Sequence, residues 1–298
     1  MVDVVISEAE ITLGRLDKVL TSRFPEHSRS YIQFLFESGA ISKNGTLCKK
    51  RTLPSVGDSI RIRFLSLPEI SAKPEDIPLD ILYEDESLLV INKPLGMAVH
   101  PAPGSPCGTV VNALMHRYQS FSEFEDEVRP GIVHRLDKDT TGVLLIAKTP
   151  HVQQALSAQF ADRSIIKTYL AVTYGLPKEG LVEAPIGRSN TDRKKMCIRE
   201  DGKYAATSFS IMKRIDRLSI VEITLHTGRT HQIRVHAKHL NTPILGDPTY
   251  GIDHINKKYG LSSQLLHAWK LTFRHPRTGM EMTVTAPPHK LMDKYLTM

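Results

Sequence analysis

Residues 131–149 read GIVHRLDKDTTGVLLIAKT, and both the fold and the chemistry turn on them. The apolar run over 143–147 has the length and branching of a buried strand rather than of a helix. Ahead of it, His134-Arg135-Leu136-Asp137 runs into a polar turn over 138–142. Asp137 therefore stands at the lip of a rigid sheet, a support suited to a nucleophile or a base. A single aspartate in a loop is far more often a turn former or a helix cap. It needs companions before it counts as a site.

Working outward, similar runs at 88–92, 168–174, 220–225 and 282–286 predict further strands, and 110–118 and 153–160 predict helices. There is no GxGxxG, no GxxxxGK[ST] and no repeat of 20–50 residues. Strands with irregularly spaced helices favour an α+β fold on a mixed, mostly antiparallel sheet over a doubly wound one. Nearer the N-terminus, 14–24 and 28–38 predict two short helices, with Leu16, Val19 and Leu20, then Ile32, Leu35 and Phe36, at helical spacing. Pro25 breaks the first, Ser28 can cap the second and Gly39 stops it. Asn44-Gly45 marks a tight turn inside 41–47, and 61–64 alternates as an edge-like strand. An acidic, proline-bearing stretch over 66–82 separates the two regions. The expected organisation is a small α/β domain over 1–70, a linker over 71–87 and a larger domain over 88–298.

The chain has 298 residues, about two domains' worth, with 41% hydrophobic and 24% charged residues, which excludes disorder, collagen and coiled coil. Its longest apolar run is far short of the ~18 residues of a membrane span, and MVDVVISEAE has no signal-peptide pattern. Three scattered cysteines, Cys48, Cys107 and Cys197, suit a reducing cytoplasm and exclude a disulfide framework. Of the net charge of +7, residues 1–72 contribute ten basic against eight acidic, 73–87 one against six, and 88–298 twenty-eight against eighteen. That C-terminal excess reads either as a solvated surface or as a polyanion partner, with nucleic acid ahead of membrane.

The run from His134 to Gly142 resembles the HRLDxxTSG signature of the RluA/RluD family of pseudouridine synthases, with Thr141 where serine is usual, so the hydroxyl is retained. Other blocks resemble that family in order and spacing: Ile91 to Gly96 with Val99-His100-Pro101, Lys167 to Ala171, the TGRTHQIRVH of 227–236, Pro243 to Asp247, His267-Ala268 and Ala286-Pro287-Pro288. Residues 1–70 resemble an S4 RNA-binding domain at Arg15-Leu16-Asp17-Lys18, Ser28-Arg29-Ser30, Ile41 with Asn44-Gly45, and Pro54 with Gly57-Asp58. This domain order is similar to that of the large-subunit ribosomal RNA enzymes of the RluC/RluD type.

The resemblance implies isomerisation of uridine to pseudouridine: the N1–C1′ bond breaks, the uracil turns, and C5 rejoins C1′. A carboxylate can attack or stabilise C1′, as in retaining glycosidases, and a neighbouring cation favours its charged form. The resemblance makes Asp137 the nucleophile or first proton acceptor and Arg234 its ion-pair partner. It lays Tyr169 on the uracil face, although a core tyrosine on a strand is the competing reading. A stacked base must be flipped out to be reached, and Arg135 is a planar cation that would fill its place, or else a phosphate contact or surface ion pair. Lys93, Arg229 and the loop residues Arg193, Lys194 and Lys195 are candidate phosphate contacts, with Arg15 and Arg29 in the S4-like region. His226, His231, His236 and His239 match no zinc pattern, and on a strand His226 and His231 would point opposite ways. The expected protein is a cytoplasmic monomer with no cofactor and no metal, acting on large-subunit ribosomal RNA or an assembling ribosomal particle. Its rivals are a non-catalytic RNA-binding assembly factor and a transfer-RNA synthase.

Overall fold

A computed structural model describes residues 1–27, 29–65, 73–102, 105–124, 126 and 129–297. The chain divides into two compact units, Met1–Glu69 and Ile70–Met298.

In the first unit, β1 (Val2–Val5) leads through a short α1 (Glu8–Ile11) to α2 (Leu16–Arg23) and α3 (Arg29–Glu37). Strands β2 (Ile41–Lys43), β3 (Thr46–Leu47) and β4 (Ser59–Ile62) follow, in the sheet order β1-β4-β2-β3. Asn44 and Gly45 take φ of 50° and 80°, as a two-residue hairpin turn demands. Leu16, Val19 and Leu20 of α2 pack with Ile32 and Leu35 of α3 on Ile41, Ile60 and Ile62. The expected edge strand is instead central, since β4 pairs with both β1 and β2. Ser28, the expected cap of α3, lies outside the described residues, as do residues 66–72, where the expected first domain meets the expected linker.

The second unit opens with β5 (Ile81–Glu84), β6 (Leu88–Lys93), α4 (Val110–Arg117), a 3-10 turn (Gln119–Glu123), β7 (Thr141–Ala147), α5 (Pro150–Ala161) and β8 (Ile166–Tyr174). It continues with β9 (Gly180–Glu183), β10 (Ile186–Arg188), β11 (Met196–Ile198), β12 (Ala206–Ile215), β13 (Leu218–Leu225) and α6 (Gln232–His239). Then come α7 (Asp253–Lys258), β14 (Leu266–Arg274), β15 (Glu281–Thr285) and α8 (Lys290–Leu296). Nine strands form one sheet in the order β5-β6-β7-β14-β8-β13-β12-β9, with β15 on β14, and all its pairs are antiparallel except β7 with β14. The fold is α+β with a mostly antiparallel mixed sheet. The expected linker over 71–87 needs correction: Ile81–Glu84 is a strand of this sheet, paired with β6.

Alternate residues of the central strands feed opposite faces. Leu89, Ile91, Leu144, Ile146, Ala171 and Ile223 pack with Val110 and Leu114 of α4 and Ile233 and Ala237 of α6. Leu88, Val90, Val143 and Leu145 pack on the other face with Val152 and Leu156 of α5. Every residue of β7 is buried, each large apolar side chain there contributing about 1.5–3 kcal/mol. At the start of β7, Gly142 takes φ of 107°, and a Cβ there would lie 2.1 Å from the Ala268 carbonyl oxygen. Only glycine lets β14 approach so closely.

Candidate active site

The turn that carries Asp137 is held from both ends. The Thr140 N–H donates to the Asp137 carbonyl at 3.0 Å, and Leu136 is buried beneath it. Lys93, at the end of β6, sends its ammonium into the protein, where Nζ donates to the carbonyls of Pro94 (2.8 Å), Met97 (2.8 Å) and Lys138 (3.0 Å). Lys93 is 0% exposed, so it cannot serve as the expected phosphate contact. Its three N–H bonds are spent on backbone oxygens that tie the 94–97 loop to the turn. Burial pulls its pKa down to about 7, with Asp139 and Asp137 opposing, whereas three carbonyl acceptors favour the ammonium. Behind the turn, His134 Nε2 accepts the Leu145 N–H at 2.9 Å and its ring stacks on Phe160.

Across a pocket, α6 brings Arg234 to the carboxylate. The helix start is fixed by Gln232, whose Oε1 accepts from Arg229 N–H and Thr227 Oγ1, and whose Nε2 donates to Ala206 O and Thr207 Oγ1. Arg234 Nη1 donates to Asp137 Oδ2 at 2.9 Å. Its Nε and Nη2 donate to the two oxygens of Asp247 at 2.7 and 2.8 Å. Burial works against the guanidinium charge, but Asp247 and then Asp137 outweigh it, so the pKa is raised. The Asp247 side chain is fully buried and that of Asp137 is 19% exposed. The arginine is thus anchored on one carboxylate and presents the other to the pocket. Asp247 also accepts the Thr249 and Tyr250 N–H groups, and the Arg234 guanidinium lies 5.1 Å from the Tyr250 ring centre.

The pocket is open to solvent and is lined by Asp137, Tyr169, Leu225, His231, Arg234 and Leu266 among others, with Arg135 and Arg229 also in its wall. Tyr169 is 6% exposed; burial, then the Asp137 charge, raises its pKa. It therefore offers a neutral ring rather than a phenolate. Arg135 is exposed while its neighbour Leu136 is buried.

The remaining predicted residues scatter. Arg229 is half-buried and donates to the Tyr204 carbonyl. Arg193 and Lys194 are exposed in the loop of the β10–β11 hairpin, with Lys195 3.9 Å from Asp192. Arg15 and Arg29, in the other unit, both donate to the fully buried Asp17, yet keep 34% and 32% of their side chains exposed. The premise that His226 and His231 share a strand fails: β13 ends at Leu225, and His231 precedes α6 with a left-handed backbone. His226 meets Ser208, and His236 meets Thr207 and the Ala184 carbonyl. Sequence reasoning assigned no role to Asp247, Tyr250 or His231; the available signal was the quoted Gly246-Asp247 pair, an acid beside a turn glycine.

The class of protein is now defined by a carboxylate on a sheet-borne turn, a buried arginine that orients it, and a pocket at their side. The model of the RNA pseudouridylate synthase family matches residues 87–239. An uncharacterised RNA pseudouridine synthase of Synechocystis is 44% identical, covering 97% of this chain and 90% of that one. The ribosomal large subunit pseudouridine synthase D of Xanthomonas campestris is 41% identical (92% and 85% covered), and that of Escherichia coli O157:H7 is also 41% identical (94% and 89%). Among solved structures, human RNA pseudouridylate synthase domain containing 1 aligns with a TM-score of 0.58 at 27% identity, over 75% of this chain and 86% of that one. The chain belongs to the RNA pseudouridylate synthase family, and its 134–142 signature is that of the RluA type.

Proposed function

We propose that this protein isomerises particular uridines of large-subunit ribosomal RNA to pseudouridine, with Asp137 as the attacking carboxylate or first proton acceptor. The observation that carries the reading is the Asp137–Arg234 pair, 2.9 Å long, at the wall of an open pocket shared with Tyr169. A pure RNA binder has no use for a carboxylate so oriented. The Xanthomonas and Escherichia coli relatives, both ribosomal large subunit pseudouridine synthases, favour large-subunit RNA over transfer RNA.

Tyr169 lies against the flipped uracil. Arg135 fills the gap that the base leaves in the stack, and Arg229, Arg193, Lys194 and Lys195 hold phosphates, which position RNA without reading its sequence. Met1–Glu69 acts as an S4-like RNA-binding domain through the exposed edges of Arg15 and Arg29. The protein works as a monomer in the cytoplasm. The reaction needs no redox change and no external nucleophile in its net equation, so the reading includes no cofactor.

The test is a map of pseudouridines in ribosomal RNA from cells carrying the gene, lacking it, or carrying Asp137→Asn. Specific sites should vanish in the deletion and stay absent with Asp137→Asn, a loss on the order of 10³-fold in rate. Full modification by that variant, with deamidation excluded, would remove the assignment. Loss confined to transfer RNA would remove the ribosomal substrate.

A further inference from the structure

His231 takes no part in the reading above, yet it faces the pocket beside Asp137. Its Nε2 lies 3.9 Å from Asp137 Oδ2, and its side chain is 22% exposed. Its other nitrogen, Nδ1, is 2.8 Å from the Tyr250 hydroxyl. That hydroxyl already accepts the Met196 N–H at 2.8 Å. Tyr250 is 4% exposed, so its own proton needs an acceptor inside the protein, and among the described residues Nδ1 is the one in reach. Tyr250 therefore donates to Nδ1, and the proton of the neutral ring sits on Nε2, aimed at the pocket.

Two further features fit. His231 adopts φ of 56° and ψ of 20°, a left-handed turn before α6 that only a few residue types tolerate. Strained backbone of this kind clusters where a side chain must be aimed. Burial lowers the pKa of the imidazole, Asp137 and Asp247 oppose that, and Arg234 and Arg135 reinforce it. The ring stays neutral, and a neutral imidazole N–H is a competent donor to a developing oxyanion.

We propose that His231 donates its Nε2–H to uracil O2 as the glycosidic bond breaks. This deepens the reading above and rests on it. When N1–C1′ breaks, the bond pair leaves with the uracil and spreads from N1 onto O2, the oxygen nearest C1′. The ribose carbon goes to the Asp137 carboxylate, or loses a C2′ proton to it, and the departing anion is the same in either route. A donor beside that carboxylate meets O2 and stabilises the anion until C5 rejoins C1′. No proton is transferred to uracil by His231, so the step balances without a co-reactant. Tyr250 is the positioning residue that fixes the tautomer.

The experiment is single-turnover kinetics and RNA binding with the full chain and a stem-loop substrate. His231→Asn tolerates the left-handed backbone but withdraws the donor, and should slow turnover about 10²-fold with RNA affinity nearly unchanged. His231→Gln keeps an N–H near the Nε2 position and should recover most of the rate. Tyr250→Phe keeps the aromatic ring and should slow turnover about 10-fold by releasing the tautomer. With 5-fluorouridine at the target, whose uracil is a better leaving group, the His231→Asn defect should shrink. An undiminished rate in His231→Asn overturns the proposal, as does loss of RNA affinity in proportion to rate, which would make His231 a phosphate contact. Equal impairment of the Asn and Gln variants on both substrates overturns it in favour of a structural role. Asp137→Asn run alongside separates the two readings. If it is inactive while His231→Asn is fully active, only the donor role falls; if Asp137→Asn turns over, the nucleophile falls with it.

Discussion

Arg234 carries two carboxylates at once, and the two are unequal: Asp247 is fully buried and bidentate, Asp137 is part-exposed and single. The anchor fixes the guanidinium plane, so the remaining N–H can direct only one oxygen of Asp137. Arg234→Ala strands the Asp247 charge in the interior and should cost about 3–5 kcal/mol, measured by urea unfolding. Arg234→Lys should lose turnover as well, because a point charge cannot serve both carboxylates in this geometry. A variant that folds normally and keeps its rate would show that the pair has no part in catalysis. Asp137 and Arg234 were legible through their motifs. Lys93 was not, because a lysine beside a proline reads as solvated and its partners at 94, 97 and 138 form no local pattern. Its burial makes a pH prediction. With a folded pKa of about 7 against 10.5, the unfolded chain binds more protons between those values. Stability supplied by this group should therefore rise with pH from about 7 towards about 10.5. In paired unfolding curves at several pH values in that window, Lys93→Met should lack this rise. Parallel curves would mean that the carbonyls hold the ammonium charged throughout.

The acidic stretch after residue 72 shows how composition misleads at the scale of elements. Read as a linker, it is instead a set of acceptors wired into the larger unit. Asp80 takes Asn92, Glu84 takes Tyr118, Arg117 and Lys148, and Glu75 takes the Gly108 N–H. Asp85 closes the β5–β6 turn by accepting Ser87 and Leu88 N–H, Tyr83 Oη–H and His275 Nε2. Burial alone would raise its pKa, but these bonds outweigh it and bring it down to about 2 from 3.8. The stabilisation is present above about pH 4 and is lost as pH falls through about 2, a difference of roughly 2 kcal/mol. Asp85→Asn should be less stable than wild type at neutral pH and lose less on acidification, as urea midpoints between pH 2 and 5 would report. An unchanged acid dependence would deny the turn this role. Strands with plain apolar runs, β6 and β7, were legible for the opposite reason: they are buried and locally unambiguous. Strands β12 and β14 carry polar residues among apolar ones, and α6 holds four basic side chains, Arg234, His236, Lys238 and His239. Their burial is decided by partners far away in sequence.

At the scale of the molecule, the pocket draws all its lining from residues 135–266, and the basic excess lies in the same part of the chain. The core of Met1–Glu69 is self-contained, built from residues between Val4 and Leu65. Deleting residues 1–69 should therefore leave a folded catalyst that isomerises uridine in a short stem-loop, but with relaxed choice of target. The argument is one of effective concentration: a second RNA contact on the same chain raises the occupancy of the pocket without touching the reacting base. A short substrate offers that contact little to hold, whereas full-length ribosomal RNA offers it a site. The ratio of kcat/KM between full chain and truncation should be larger on the long RNA than on the short one. Salt should modulate the difference, because phosphate contacts weaken as counterions compete. Equal losses on both substrates, in a truncation shown by its unfolding transition to be folded, would mean that the N-terminal unit is required for the chemistry itself, and the division of labour between the units would have to be redrawn.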